Sequence, residues 1–175
     1  LDRTILNPSG AIGEFSVFFL AAGGLYLLIK DRISWHIPVS MFLVVFLGLF
    51  LMNIIIGADI NLSMGGLLLG GIYMATDMPS SPSNPMGKIY YGIMLGLIIG
   101  LLSILGVKNE ILSYVLLILN PFTRIINKVF RPVVFGYDVK EEMLKESGKM
   151  ILLTLGIFAF AIVFTGFHKV GAMPY

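Results

Sequence analysis

Apolar runs close to the length of a bilayer dominate this chain, and no other feature restricts its fold as tightly. A helix needs about 20 largely apolar residues to cross a hydrocarbon core about 30 Å thick. Five windows reach or nearly reach that length: 13–29, 35–57, 88–106, 111–129 and 150–167. A sixth, 62–76, is shorter and rich in glycine. With 57% hydrophobic and 13% charged residues, the polar surface is too small to coat a water-soluble body of 175 residues. The sequence therefore predicts an all-α polytopic membrane protein with about six transmembrane segments, one of them short or broken.

Composition also removes several chemistries. There is no Cys, so disulfides, cysteine-held iron–sulfur clusters and c-type haem attachment are excluded. Two His, separated by most of the chain, argue against a protein-held transition metal. The chain starts at Leu1 with no initiator Met and no charged stretch before its first apolar run, so it reads as a piece of a longer protein, with nothing resembling a cleaved signal peptide.

The first predicted helix, 13–29, carries the small-residue patch Ala21, Ala22, Gly23 and Gly24 and ends at Lys30-Asp31-Arg32. Trp35, His36 and Pro38 open the second, because Trp suits the headgroup belt and Pro suits the first helical turn. Asn53 is its one strongly polar interior residue. In the long helix from Lys88 to Gly106, Gly92, Gly96 and Gly100 recur every four residues, which predicts close approach of another helix along one face. The run 111–129 is interrupted at Asn120-Pro121. Three regions result: a membrane domain over 1–136, a mixed-charge juxtamembrane linker over 137–149, and a final transmembrane helix with its tail over 150–175.

Four glycines in seven positions, Gly65, Gly66, Gly70 and Gly71, open the short segment, which closes on Thr76-Asp77 and a proline-rich turn. Such glycines let backbone approach a bound cofactor or an ion, or equally serve close helix packing. An acid at Asp77 inside the bilayer would have to be paired or functional, whereas at the helix end it caps the turn. Thr76 is a candidate for a hydrogen bond to a bound cofactor, or a part of the same turn. Glu14, at a helix start, complements the dipole or gates ions on the outer side. Asn53 is an interhelical hydrogen-bonding group or an ion ligand. His36 beside Trp35 is interfacial, or a proton relay. The basic cluster from Arg124 to Lys149 anchors the cytoplasmic side, or docks a soluble partner.

Loop charge orients this map. If 62–76 crosses the membrane, nine of the twelve Lys and Arg fall on one side, and only Arg3, Lys108 and Lys169 lie opposite. If it returned as a hairpin, the split would weaken to eight against four. The crossing arrangement puts the amino terminus outside and Asp77 near the cytoplasmic face.

Several stretches resemble one family. Gly10-Ala-Ile-Gly-Glu14, Gly23-Gly24-Leu-Tyr-Leu-Leu, Trp35-His36-Ile-Pro38, Gly70-Gly-Ile-Tyr-Met-Ala-Thr-Asp77 with Ser80-Ser81-Pro82, Asn120 to Asn127, and Arg131-Pro132 to Phe135-Gly136 are similar to the D subunit of the Rnf electron-transport complex and its relative, the B subunit of the sodium-pumping NADH:quinone reductase. The resemblance covers roughly 10–136 and implies the carboxy-terminal half of a ten-helix flavoprotein built from two five-helix repeats. It implies a bacterial inner-membrane complex that couples ferredoxin:NAD electron transfer to Na+ or H+ movement, with flavin (FMN or riboflavin) as cofactor. Other membrane subunits and flavin- and iron–sulfur-bearing subunits would be its partners, with no nucleic acid. With a flavin in that place, Gly65, Gly66, Gly70, Gly71 and Thr76 would form a cofactor wall, and Asp77, Asn53, Glu14 and Asn127 are the candidates for an ion path.

The chain departs from that family in three respects. The Ser-Gly-Ala-Thr motif that carries covalent FMN in the family is absent. Asn127 stands where the family usually has Asp. The helix 150–167 exceeds the family plan, either as an added helix or as a fused segment like the G subunit. Two other functions fit a chain of this composition: a channel or secondary transporter made of repeated helical units, and a structural anchor of a complex.

Overall fold

The computed structural model describes residues 17–56, 64–105, 111–130 and 139–168, and all regular elements among them are helical. They are α1 (Val17–Ile29), α2 (His36–Ile56), α3 (Met64–Leu68), which continues as a π-helix (Leu69–Met74), α4 (Pro85–Ile104) and α5 (Ile111–Leu119). A 3-10 turn (Asn120–Phe122) joins α5 to α6 (Thr123–Val129), and α7 (Val139–His168) follows.

Local chemistry accounts for the boundaries. α1 stops where Asp31 takes φ 51°, a left-handed conformation that Asp tolerates better than most residues. The Arg32 amide then reaches back to the Leu27 carbonyl at 3.0 Å and the Asp31 amide to Leu28 at 3.1 Å, the paired bonds that close a helix carboxyl end. α4 begins three residues before the predicted Lys88, because Pro85 occupies the first helical position, where its missing N–H costs nothing. Between α5 and α6 the Asn120-Pro121 break appears as a single 3-10 turn, after which the chain resumes as helix. α7 starts before Met150: residues 139–149 of the mixed-charge segment continue into the apolar helix without interruption.

α4 is the centre of the bundle. Tyr91, Met94, Leu95, Ile98, Ile99 and Leu102 form its buried face, packed with Ile37, Met41 and Val45 of α2 and with Val115, Ile118 and Leu119 of α5. Its contact with α2 depends on glycine at two positions. A Cβ on Gly92 would meet the Ile37 carbonyl at 2.7 Å, and one on Gly96 would meet Val44 Cβ at 2.7 Å and the Met41 carbonyl at 3.1 Å. The third member of the predicted stripe, Gly100, has open space beside it among the described residues. α7 contributes Leu153, Ile157 and Ala161, spaced by one helical turn, to the core.

The outer faces are apolar. Phe18, Phe19, Leu43, Phe46, Leu47, Phe50, Leu152 and Leu155 are all exposed, an arrangement that suits lipid and not water. Among the described residues, two helices are long and apolar enough to cross a membrane, Pro85–Ile104 and Gly148–Gly166, with Val17–Ile29, His36–Leu51 and Met64–Met74 as shorter apolar helices.

Candidate functional site

The glycine-rich segment is where regular helix geometry gives way. The Ala75 amide bonds the Gly70 carbonyl at 2.7 Å, five residues back, so the turn is wider than an α-helical one. π-helical turns are uncommon and concentrate at functional sites. At about 1.5 Å per residue, the eleven residues Met64–Met74 extend only about 16 Å, roughly half of the hydrocarbon thickness.

Four successive residues of this segment meet three different helices. Gly70 faces α5, where an added Cβ would lie 2.9 Å from Leu112 Cβ. Gly71 faces α2, where the same addition would collide with the terminal methyl of Met41 and sit 3.0 Å from its sulfur. Ile72 packs into the space left by Gly24 of α1, its Cγ2 2.8 Å from where a Cβ would be. The Tyr73 hydroxyl passes Gly23 and donates to the Leu20 carbonyl at 2.9 Å. Gly65 is buried and Gly66 half-buried at the start of the same element.

Beyond the π-helix the chain turns sharply and is fastened to α6. Thr76 is buried, and its hydroxyl donates to the Ile72 carbonyl. Asp77 is exposed. Its carbonyl accepts the Ser81 amide at 2.9 Å and the Ser80 amide at 3.2 Å, and its carboxylate accepts the Ser80 hydroxyl at 3.4 Å. Thr123 then donates to the Ser80 carbonyl at 2.9 Å, the Ser83 amide donates to Asn127 Oδ1 at 2.9 Å, and the Asn84 side-chain amide donates to the Phe130 carbonyl. Pro82 is buried against Gly87. Thus Thr76, Asp77 and Asn127 belong to one end of the bundle, with Asp77 on a loop that Asn127 helps to hold.

Glu14 and the side chain of Asn53 lie outside the described residues. His36 is half-buried and stacks on Trp35 with ring centroids 4.2 Å apart, while Trp35 is 59% exposed. Among the described residues no three His, Asp or Glu side chains gather as a metal ligand set. Two polar links were not anticipated from the sequence. Tyr91, fully buried, donates to Asn120 Oδ1 at 3.1 Å, and Thr123 reaches the Ser80 carbonyl. The signal for the first was present in Asn120-Pro121: Asn at a helix break has a free side chain to offer a neighbouring helix.

The pattern of the NQR2, RnfD, RnfE family matches residues 2–136. The chain belongs to that family. Among its relatives, the D subunit of the Na+-translocating ferredoxin:NAD+ oxidoreductase complex of Acetobacterium woodii is 36% identical over 136 residues, covering 76% of this chain and 42% of the relative. The D subunit of the proton-translocating ferredoxin:NAD+ oxidoreductase complex of Clostridium ljungdahlii is 35% identical over 133 residues, covering 73% and 40%. The D subunit of the ion-translocating oxidoreductase complex of Stutzerimonas stutzeri is 32% identical over 136 residues, covering 75% and 38%. The chain thus spans about two fifths of the length of these relatives. The family match contains the π-helix, the Asp77 loop and α6, and it ends before α7.

Proposed function

We propose that this chain is part of a membrane subunit of a redox-driven pump, in which electron transfer between reduced ferredoxin and NAD drives Na+ or H+ across the bacterial inner membrane. The observation that carries this reading is family membership over 2–136, which includes the whole clamped loop around Asp77. Relatives named for sodium and for proton translocation are matched almost equally, at 36% and 35% identity, so the pattern this chain shares with them serves either ion. The redox chemistry resides with flavin and iron–sulfur partners of the assembly, while this chain supplies positioning and an ion route.

In the proposed topology about six segments enter the bilayer, the amino terminus lies outside, and the Lys- and Arg-rich loops are cytoplasmic. The exposed apolar faces and the two helices of spanning length support it. The short π-helical segment then reaches from the bilayer interior to the cytoplasmic side and delivers Thr76 and Asp77 there. Asp77 acts as the acid of the cytoplasmic ion mouth, and Asn127 keeps its loop in register. Glu14 and Asn53 lie toward the outer end of the route in this topology.

The family resemblance implies FMN or riboflavin, and the fit of this stretch to a flavin is poor. The volume beside Gly70 and Gly71 is filled by Leu112 and Met41, and the Thr76 hydroxyl is committed to the Ile72 carbonyl. Gly65, Gly66, Gly70 and Gly71 act in this reading as the wall along which neighbouring helices approach the ion route.

The test is ion uptake by inside-out membrane vesicles during ferredoxin:NAD turnover. Vesicles from cells lacking this protein should lose coupled uptake, and expression of the full-length protein should restore it. Unchanged uptake in the deletion would refute the assignment.

A further inference from the structure

A cleft of about 450 Å³ opens between α6 and α7, a volume within the range of small-molecule sites. One wall carries Ile125 and Lys128, and the other carries Lys149, Leu152 and Gly156. The described residues that line it include two lysines and no acidic residue, while the rest of the lining is apolar or glycine. Lys128 lies in the last turn of α6, and Lys149 lies at the start of the apolar window Gly148–Gly166. The two cations therefore mark the same end of an antiparallel pair, with the apolar surface extending away from them. Among the described residues nothing lies within 4 Å of where a Cβ on Gly156 would be, so that wall is flat and open. Only 17% of the α7 window is buried within the protein, so the cleft opens onto the surface that faces lipid.

We propose that this cleft is a binding site for an anionic phospholipid, with the phosphate between Lys128 and Lys149 and an acyl chain along Ile125, Leu152 and Gly156. Two lysines bordering one cleft favour an anion, and the apolar slot beside them favours a hydrocarbon; a phospholipid supplies both in one molecule. A partner's apolar helix would fill the slot but bring no anion to the two lysines, and a free phosphate would leave the slot empty.

Binding of spin-labelled phosphatidylglycerol and phosphatidylcholine to the full-length protein in detergent micelles tests this. A basic residue at the membrane surface contributes about fivefold in affinity for an anionic lipid. Phosphatidylglycerol should be preferred by about 25-fold, falling to about fivefold in Lys128→Gln or Lys149→Gln and to near parity in the double variant. Gly156→Leu keeps both charges but fills the slot, and should weaken both lipids together. Equal binding of the two lipids by the unaltered protein would overturn the proposal, as would retention of the preference in the double variant. Full displacement by inorganic phosphate would reduce the site to an anion site without a lipid slot. Loss of partner subunits in Gly156→Leu with lipid binding unchanged would give the cleft to a protein instead.

Discussion

The Ser83 amide donates to Asn127 Oδ1 at 2.9 Å across 44 positions of sequence, and this bond holds the loop that carries Asp77 against α6. Asn127→Ala would leave that amide without its acceptor, at a cost on the order of 1 kcal/mol. Asn127→Asp keeps an acceptor in place. Thermal unfolding in detergent should therefore show Asn127→Ala clearly below the parent and Asn127→Asp close to it; equal losses in both would mean that the bond contributes nothing.

The glycines of α4 should separate into two classes. Gly96→Leu would drive a side chain into Val44 and the Met41 carbonyl, a backbone atom that cannot move aside, and overpacking of this kind costs about 1–3 kcal/mol. Gly100→Leu enters open space and should be tolerated. Expression level and unfolding temperature of the two variants distinguish them, and similar behaviour would refute the α2–α4 contact.

Those same glycines mark what was legible in the sequence. Spacing of four predicted that α4 packs closely against another helix, and α2 meets it at Gly92 and Gly96. Spacing alone carried no information about the partner, so the exclusion of Gly100 from the contact was not readable. The break at Asn120-Pro121 was readable because Pro lacks the N–H that a continuous helix needs. The π-helix was not, since a bond to the fifth residue back depends on what surrounds the segment, here Leu112, Met41 and Gly24, and not on its own composition. The clamps from Thr123 and Asn127 to the Asp77 loop join residues more than 40 positions apart, which local pattern does not encode.

Within the π-helical segment, Gly70→Ala should be more damaging than Gly71→Ala. The new methyl at Gly70 meets Leu112 near its Cβ, close to the α5 backbone, whereas at Gly71 it meets the flexible end of Met41. Met41→Ala itself opens a cavity in the core, but in that background the additional loss from Gly71→Ala should shrink while that from Gly70→Ala should not. Unfolding temperatures of the singles and the doubles form the comparison.

Tyr73 fastens the π-helical segment to α1 through the Leu20 carbonyl at 2.9 Å. Tyr73→Phe removes the donor while keeping the ring, so a loss of about 0.5–1.5 kcal/mol is expected. Hydrogen exchange should rise at the amides of residues 69–76 before it rises in α4; a uniform rise through the bundle would contradict a local tether.

In the proposed function Asp77 serves an ion route and not merely the turn it begins. The most direct measurement is Na+ or H+ uptake per NADH formed, in inside-out vesicles carrying Asp77→Asn and Asp77→Glu. Asparagine keeps the backbone bonds to Ser80 and Ser81 and an acceptor for the Ser80 hydroxyl, so the turn and the assembly should survive. Asp77→Asn should leave the complex assembled and electron transfer measurable while ion uptake falls to background, with partial recovery in Asp77→Glu. Full uptake in Asp77→Asn would contradict that role.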